Sequence, residues 1–156
     1  MLGYYGNEAG TAATIEPDGW LHTGDVATMD EDGYFTIVDR MKDMILTAGF
    51  NVYPAEIERV LCAHPAVALA AVGAIPDETK GELAKAYVIL KPGADVTRED
   101  LVAHCRQHLA AYKVPRAIQF TSQVPMTSSG KIMRRLLGEI DDGTVSLVSE
   151  PGQVVS

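Results

Sequence analysis

Three short stretches hold the residues best suited to chemistry. In Thr23-Gly24-Asp25 a carboxylate follows a glycine turn. There it can accept two hydrogen bonds, as from the diol of a ribose; an Asx-type turn between strands uses the same residues. In Asp39-Arg40-Met41-Lys42-Asp43 four charges fall within five residues, between two strand signals. That pattern suits a solvated connector, or a hinge in which Arg40 meets a phosphate or ribose. Pro125-Met126-Thr127-Ser128-Ser129-Gly130-Lys131 is a polar loop ending in Gly-Lys. It lacks the first glycine and the spacing of a Walker A loop. A lysine on such a loop is a compact charge on a long stem, suited to neutralising a phosphoryl group. A plain surface turn is the other reading.

Metal chemistry is not indicated. His104 and His108 stand four apart on one side of a helix, a spacing that can hold a metal, but no third ligand is in view. His64, before Pro65, reads as the end of a helix. Cys62 and Cys105 match no zinc spacing and read as small core residues.

The elements that position these residues follow from periodicity and punctuation. Residues 20–29 and 34–38 read as strands joined at Asp32-Gly33, a hairpin signal. The opening Met-Leu-Gly-Tyr-Tyr-Gly has no cap and no preceding element, and reads like a start made inside a longer protein. Residues 44–46 and 51–53 flank a turn at Thr47-Ala48-Gly49. Pro54 sits where a helix starts, with Glu56 and Glu58 in its first turns. Ile57, Val60 and Leu61 give its apolar face, and His64-Pro65 stops it. Residues 66–75, 84–90 and 117–121 read as strands. Thr97 and Asp100 form a capping box for a helix carrying Leu101, Val102, Cys105, Leu109 and Tyr112. Residues 131–137 read as helical. The prediction is an α+β fold: a small three-stranded sheet with helices, plus an N-terminal β-hairpin.

Composition bounds the function. The chain has 156 residues, 47% hydrophobic and 22% charged, which fits a globular protein. No apolar run approaches the ~18 residues of a membrane span, and the N-terminus lacks a signal-peptide layout. Two cysteines fit a reducing, cytoplasmic setting. The net charge of −8 argues against nucleic acid as a partner. The charge is uneven. Residues 1–43 hold nine acids and two bases; residues 44–138 hold eight acids and eleven bases; residues 139–156 hold four acids and no base. The last stretch reads as an acidic, disordered tail.

In this order, the blocks at residues 19–25, 39–45, 49–58, 112–115 and 125–132 resemble the C-terminal part of the AMP-forming acyl-CoA synthetases. These belong to the adenylate-forming superfamily, with peptide-synthetase adenylation domains and luciferases. The resemblance implies an acid–CoA ligase. A carboxylate attacks the α-phosphate of ATP to give an acyl-adenylate and pyrophosphate, and a thiol, usually of coenzyme A, then displaces AMP to give a thioester. It implies that residues 1–40 are the end of a large N-terminal domain, that 41–138 form the mobile C-terminal domain, and that 139–156 are the tail. Asp25 and Arg40 would bind the nucleotide at its ribose, and Lys42 would be the hinge. Lys131 would be the catalytic lysine of adenylation, and Gly49 would lie at the CoA channel. Met126 stands where many members have a basic residue. ATP and CoA are the implied cofactors, with Mg held mainly by the N-terminal domain, in cis or in trans.

The phosphate loop, adenine site and acyl pocket of the family lie upstream of the blocks present here. The chain alone is therefore expected to be inactive. By family frequency the substrate is a fatty or aromatic acid. Two alternatives are a non-catalytic interaction or CoA-binding module, and an adenylation domain that loads a carrier protein.

Overall fold

A computed structural model describes residues 1–140 and the backbone of 146–147. The chain divides into two compact units, Met1–Lys42 and Asp43–Ser156.

In the first unit, Asp30 builds a tight turn. Its Oδ1 accepts from the N–H groups of Asp32 and Tyr34 at 3.1 and 2.8 Å, and Gly33 takes a positive φ of +85° that suits glycine. The turn joins β1 (Asp25–Met29) to β2 (Phe35–Arg40) as an antiparallel hairpin. The first strand starts later than expected, because the Glu16 N–H bonds the Trp20 carbonyl at 2.8 Å and closes a turn there. A short helix that periodicity does not reveal, α1 (Glu8–Thr14), precedes the hairpin; Asn7 caps it by accepting from the Gly10 N–H. No apolar residue of this unit is buried; Asp39 is its one buried side chain.

The second unit holds the core. β3 (Ile45–Thr47) and β4 (Phe50–Val52) form a hairpin. In α2 (Pro54–Cys62), Pro54 is at the start and Ile57 and Leu61 are fully buried. β5 (Val67–Asp77) and β6 (Gly81–Leu90) pair antiparallel along their length. β5 runs through Pro76, which an edge position tolerates. At its end, Asp77 Oδ1 accepts from Thr79 and Lys80 N–H. α3 (Arg98–His108) carries the expected capping box. β7 (Ala117–Phe120) then pairs parallel to β6, and β8 (Ser146–Leu147) pairs with β7.

The fold is α+β as expected, but the sheet is larger than three strands. Beside β5, β6 and β7 it takes in β3, β4 and β8. β3 joins β6 through one pair, Thr47↔Gly81. Gly81 permits this through its backbone: its φ is +78°, a left-handed conformation that glycine adopts readily.

Both faces of the sheet are covered, which is why β5 and β6 read as continuous apolar runs. Val72, Ala86 and Val88 face α2 and α3 with Ile57, Leu61 and Leu101. Ala71 and Tyr87 face Val124 and Leu137 on the other side. Residues 131–137 are not an α-helix. Ile132 bridges to Met126, and a 3-10 segment, Arg134–Glu139, follows. It sets Leu137 against the glycine gap at Gly73, where a Cβ would come within 3.3 Å of the leucine. Of the tail expected to be disordered, residues 141–145 and 148–156 lie outside the described residues.

Candidate functional site

Lys131 sits at the foot of a small closed loop. The Thr127 N–H bonds the Lys131 carbonyl at 2.8 Å, the Gly130 N–H bonds the Thr127 carbonyl at 2.9 Å, and the Lys131 N–H bonds Thr127 Oγ1 at 3.1 Å. The Met133 N–H closes the base on the Pro125 carbonyl at 2.9 Å. Gly130 has φ +79°, the left-handed turn position. Lys131 is exposed, and among the described residues its ammonium has no hydrogen bond or ion pair. The loop therefore presents one uncommitted cation to solvent.

Asp25 and Arg40 face each other across β1 and β2. Arg40 Nε lies 3.0 Å from Asp25 Oδ1. A carboxylate offers about four acceptor positions, so this contact leaves Asp25 Oδ2 able to accept from a diol. Gly24, at φ +71°, turns the chain into β1, and its carbonyl accepts from Met41 N–H at 2.8 Å. Lys42 is exposed in the 3-10 turn Met41–Asp43 that follows β2. The division between the two units falls directly after it.

Gly49 is in the two-residue turn of β3 and β4, with Ala48 at φ +49° and Gly49 at +83°. Positive φ at both positions matches the type I′ turn of short hairpins. A Cβ on Gly49 would meet nothing within 4 Å, so within this chain only the backbone angle restricts the position. Beside the turn lies a hollow of about 480 Å³ lined by Ala48, Phe50, Tyr112, Lys80, Arg106 and Arg116, among others. The Phe50 and Tyr112 rings stack, with centroids 4.5 Å apart. Burial, and then the neighbouring Arg106 charge, hold the Arg116 guanidinium below its usual range, with Asp77 opposing. Three cations beside a stacked aromatic wall suit an anion that carries an aromatic ring.

A family profile, the AMP-binding enzyme C-terminal domain, matches residues 56–131. A 3-[(3aS,4S,7aS)-7a-methyl-1,5-dioxo-octahydro-1H-inden-4-yl]propanoyl:CoA ligase from Rhodococcus jostii (strain RHA1) is 50% identical over 139 residues, 89% of this chain and 27% of that protein. The chain resembles the C-terminal part of enzymes of the adenylate-forming superfamily. A long-chain-fatty-acid–CoA ligase from Yersinia pestis is also 50% identical, over 88% of this chain and 24% of its own length. The o-succinylbenzoate CoA synthetase from Bacillus subtilis, solved with its acyl-adenylate intermediate, matches with TM-score 0.83 at 35% identity, over 93% of this chain and 29% of that one. The chain thus spans about a quarter of the length of the curated relatives it matches.

Lys131 closes the segment matched by the family profile, and Lys42 and Gly49 precede that segment. The structure brings Asp25 to Arg40 and sets Gly49 beside the cationic hollow. Sequence reading missed Phe50, Lys80, Arg106 and Arg116 as a group. They come from four separate segments, and only the basic excess of residues 44–138 hinted at them.

The structure also brings His64 against His104, with ring centroids 5.1 Å apart. Their nitrogens are engaged with backbone: His64 Nδ1 with Ala66 N–H, and His104 Nε2 with the Val60 carbonyl. Among the described residues, no group of three metal-ligating side chains could hold a metal. Burial pushes the Cys105 thiol up to about 12, which makes it a packed side chain and a poor nucleophile. No helix among the described residues is long and apolar enough to cross a membrane.

Proposed function

We propose that the chain is the C-terminal portion of an AMP-forming acid–CoA ligase, and that its residues 1–40 end a larger upstream domain while 41–138 form a small mobile one. The observation that carries this is the missing core of the first unit. Tyr5, Trp20, Met29, Tyr34, Phe35 and Ile37 are all exposed, although burying one such side chain is worth about 1.5–3 kcal/mol. Such a surface needs a partner, and the relatives have the length to supply one.

In this reading the chain's own residues have separable tasks. Asp25, oriented by Arg40, accepts the ribose hydroxyls of the nucleotide. Lys131 offsets negative charge as the substrate carboxylate approaches the α-phosphate, an electrostatic task suited to an uncommitted ammonium. Lys42 is the pivot about which the small domain turns between the two half-reactions. The Gly49 turn then borders the path of the CoA thiol. The cationic hollow beside it suits the phosphates and adenine of CoA. The magnesium ion belongs to the upstream domain.

The test is a fusion of all 156 residues behind the upstream part of the R. jostii ligase, in place of that protein's own last quarter. ATP–pyrophosphate exchange with that protein's own acid should be absent from either part alone and present in the fusion. A folded fusion without exchange overturns the proposal. Tight association of the two separate parts without exchange would instead point to a non-catalytic module.

A further inference from the structure

Three residues after Lys131, a guanidinium is held between two carboxylates. Arg134 Nη2 lies 2.7 Å from Glu58 Oε2, and Nη1 lies 3.4 Å from Asp43 Oδ2. The three side chains are mostly buried, at 21%, 14% and 19% exposure for Arg134, Glu58 and Asp43. Glu58 is also fixed from its other side, where Oε1 accepts from the Val72 N–H of β5 at 2.9 Å. Arg134 Nε is buried without a hydrogen-bond partner.

As a source of stability this arrangement is poor. Three charges are desolvated and one donor is left unpaired, where apolar packing of equal volume often serves as well. What the arrangement does supply is geometry. Asp43 directly follows the hinge residue Lys42, Glu58 lies on α2, and Arg134 opens the 3-10 segment. The hydrogen bonds of loop 126–131 all run within the loop among the described residues. Its direction is therefore set at its feet. Only Ile132 and Met133 separate Lys131 from Arg134. Ile132 bridges to Met126, and Met133 bonds Pro125.

We propose that Arg134, clamped between Asp43 and Glu58, is a positioning residue for Lys131: it fixes the direction in which the lysine loop leaves the domain and ties that loop to the residue next to the hinge. The proposal rests on the reading of Lys131 as the adenylation lysine. Thioester formation does not use that lysine, so a positioning role and a purely structural role give different results.

The experiment uses the fusion enzyme and measures both half-reactions: pyrophosphate exchange, and thioester formation from a supplied acyl-adenylate. Arg134→Ala should lower exchange by about 100-fold, the effect of a displacement on the order of 1 Å, and leave thioester formation at the parental level. Arg134→Lys keeps a cation that can reach Glu58 but cannot span both carboxylates. It should lower exchange by a smaller factor, again with thioester formation retained, and it carries the test if Arg134→Ala does not fold. Equal losses in both half-reactions, or none in either, overturn the proposal. Lys131→Ala is the control. If it leaves exchange intact, the reading of Lys131 fails and the positioning role falls with it. That result differs from Arg134 variants that behave like the parent while Lys131→Ala is inactive.

Discussion

Phe50 and Tyr112 stack with their rings 4.5 Å apart and 21° from parallel. Phe50 directly follows the Ala48-Gly49 turn, and Tyr112 lies in the 3-10 turn Ala111–Lys113 that comes after α3. The stack braces the glycine turn against the far end of the domain. Lys113 fixes that end, with its ammonium on both oxygens of Glu56 in α2 at 2.8 and 2.6 Å. Such a ring pair is worth about 0.5–1.5 kcal/mol beyond area burial. Tyr112→Ala in the fusion enzyme should therefore raise the KM for CoA in thioester formation, with pyrophosphate exchange unchanged. An equal loss in exchange would show that the stack serves the whole fold and has no separate bearing on the thiol step.

The cations of the hollow make a sharper case. Burial, and then the Arg106 charge, disfavours the charge on Arg116, with Asp77 opposing, and a bound anion would favour that charge further. If the phosphates of CoA bind there, Arg116→Gln should raise the KM for CoA about tenfold or more, the value of one charge-assisted hydrogen bond. The effect should shrink at high salt. A salt-independent KM equal to the parent's would remove the hollow from the CoA path.

Lys131 and Gly49 should separate the half-reactions in opposite directions. Lys131→Ala should lower adenylate formation by about 100- to 1000-fold, the usual cost of one electrostatic stabiliser, and spare thioester formation. Gly49→Leu should do the reverse. Gly49→Ala separates its two causes. It carries the backbone strain of φ +83°, about 1–2 kcal/mol, but little bulk. Thioester formation that fails in both variants would assign the role of Gly49 to backbone conformation. Failure in Gly49→Leu alone would assign it to space along the channel.

The elements read correctly from sequence are those with a local physical signature. Pro54 and Glu56 with the Ile57–Leu61 spacing marked α2, and the Thr97–Asp100 pair marked α3. The uninterrupted apolar runs marked β5 and β6. What escaped either has a local cap but no apolar stripe behind it, or depends on residues distant in sequence. Seven residues without an apolar stripe form α1 on the strength of one Asn7 cap. The segment after Lys131 has helical spacing but becomes a 3-10 turn, because Arg134 must reach Asp43 and Glu58 while Leu137 meets Gly73. The cationic hollow has no local pattern at all, since Lys80, Arg106 and Arg116 meet only once β5, β6 and α3 are packed.

The capping box makes a prediction about pH. Hydrogen bonds from the Thr97 hydroxyl and then the Thr97 N–H hold the Asp100 carboxyl below its ordinary value of 3.8, with desolvation opposing and the His64 charge assisting. A carboxyl depressed in the folded state adds stability above its ordinary value and loses it as pH falls through the folded value. Urea midpoints of the whole chain should thus favour the parent over Asp100→Asn at neutral pH. The difference should fade as the pH is lowered below 3.8. A difference that is constant with pH would show that the cap works without the charge.

The last prediction concerns the choice of acid. The R. jostii and Y. pestis ligases are named for very different acyl groups, a fused bicyclic propanoyl and a long chain, yet each is 50% identical to this chain over nearly the same extent. A segment that matched the acid would be expected to favour one of them. In the proposed division of tasks none of these residues touches the acyl group: Asp25 and Arg40 would address the ribose, Lys131 the reacting carboxylate, and Gly49 the thiol path. Fusions of the same 156 residues behind the upstream part of each ligase should therefore keep the acid preference of the upstream part. The ratio of kcat/KM for the two acids in pyrophosphate exchange measures this directly. If both fusions converge on one preference, this chain contributes to the acyl pocket, and the division of tasks proposed for its residues is incomplete.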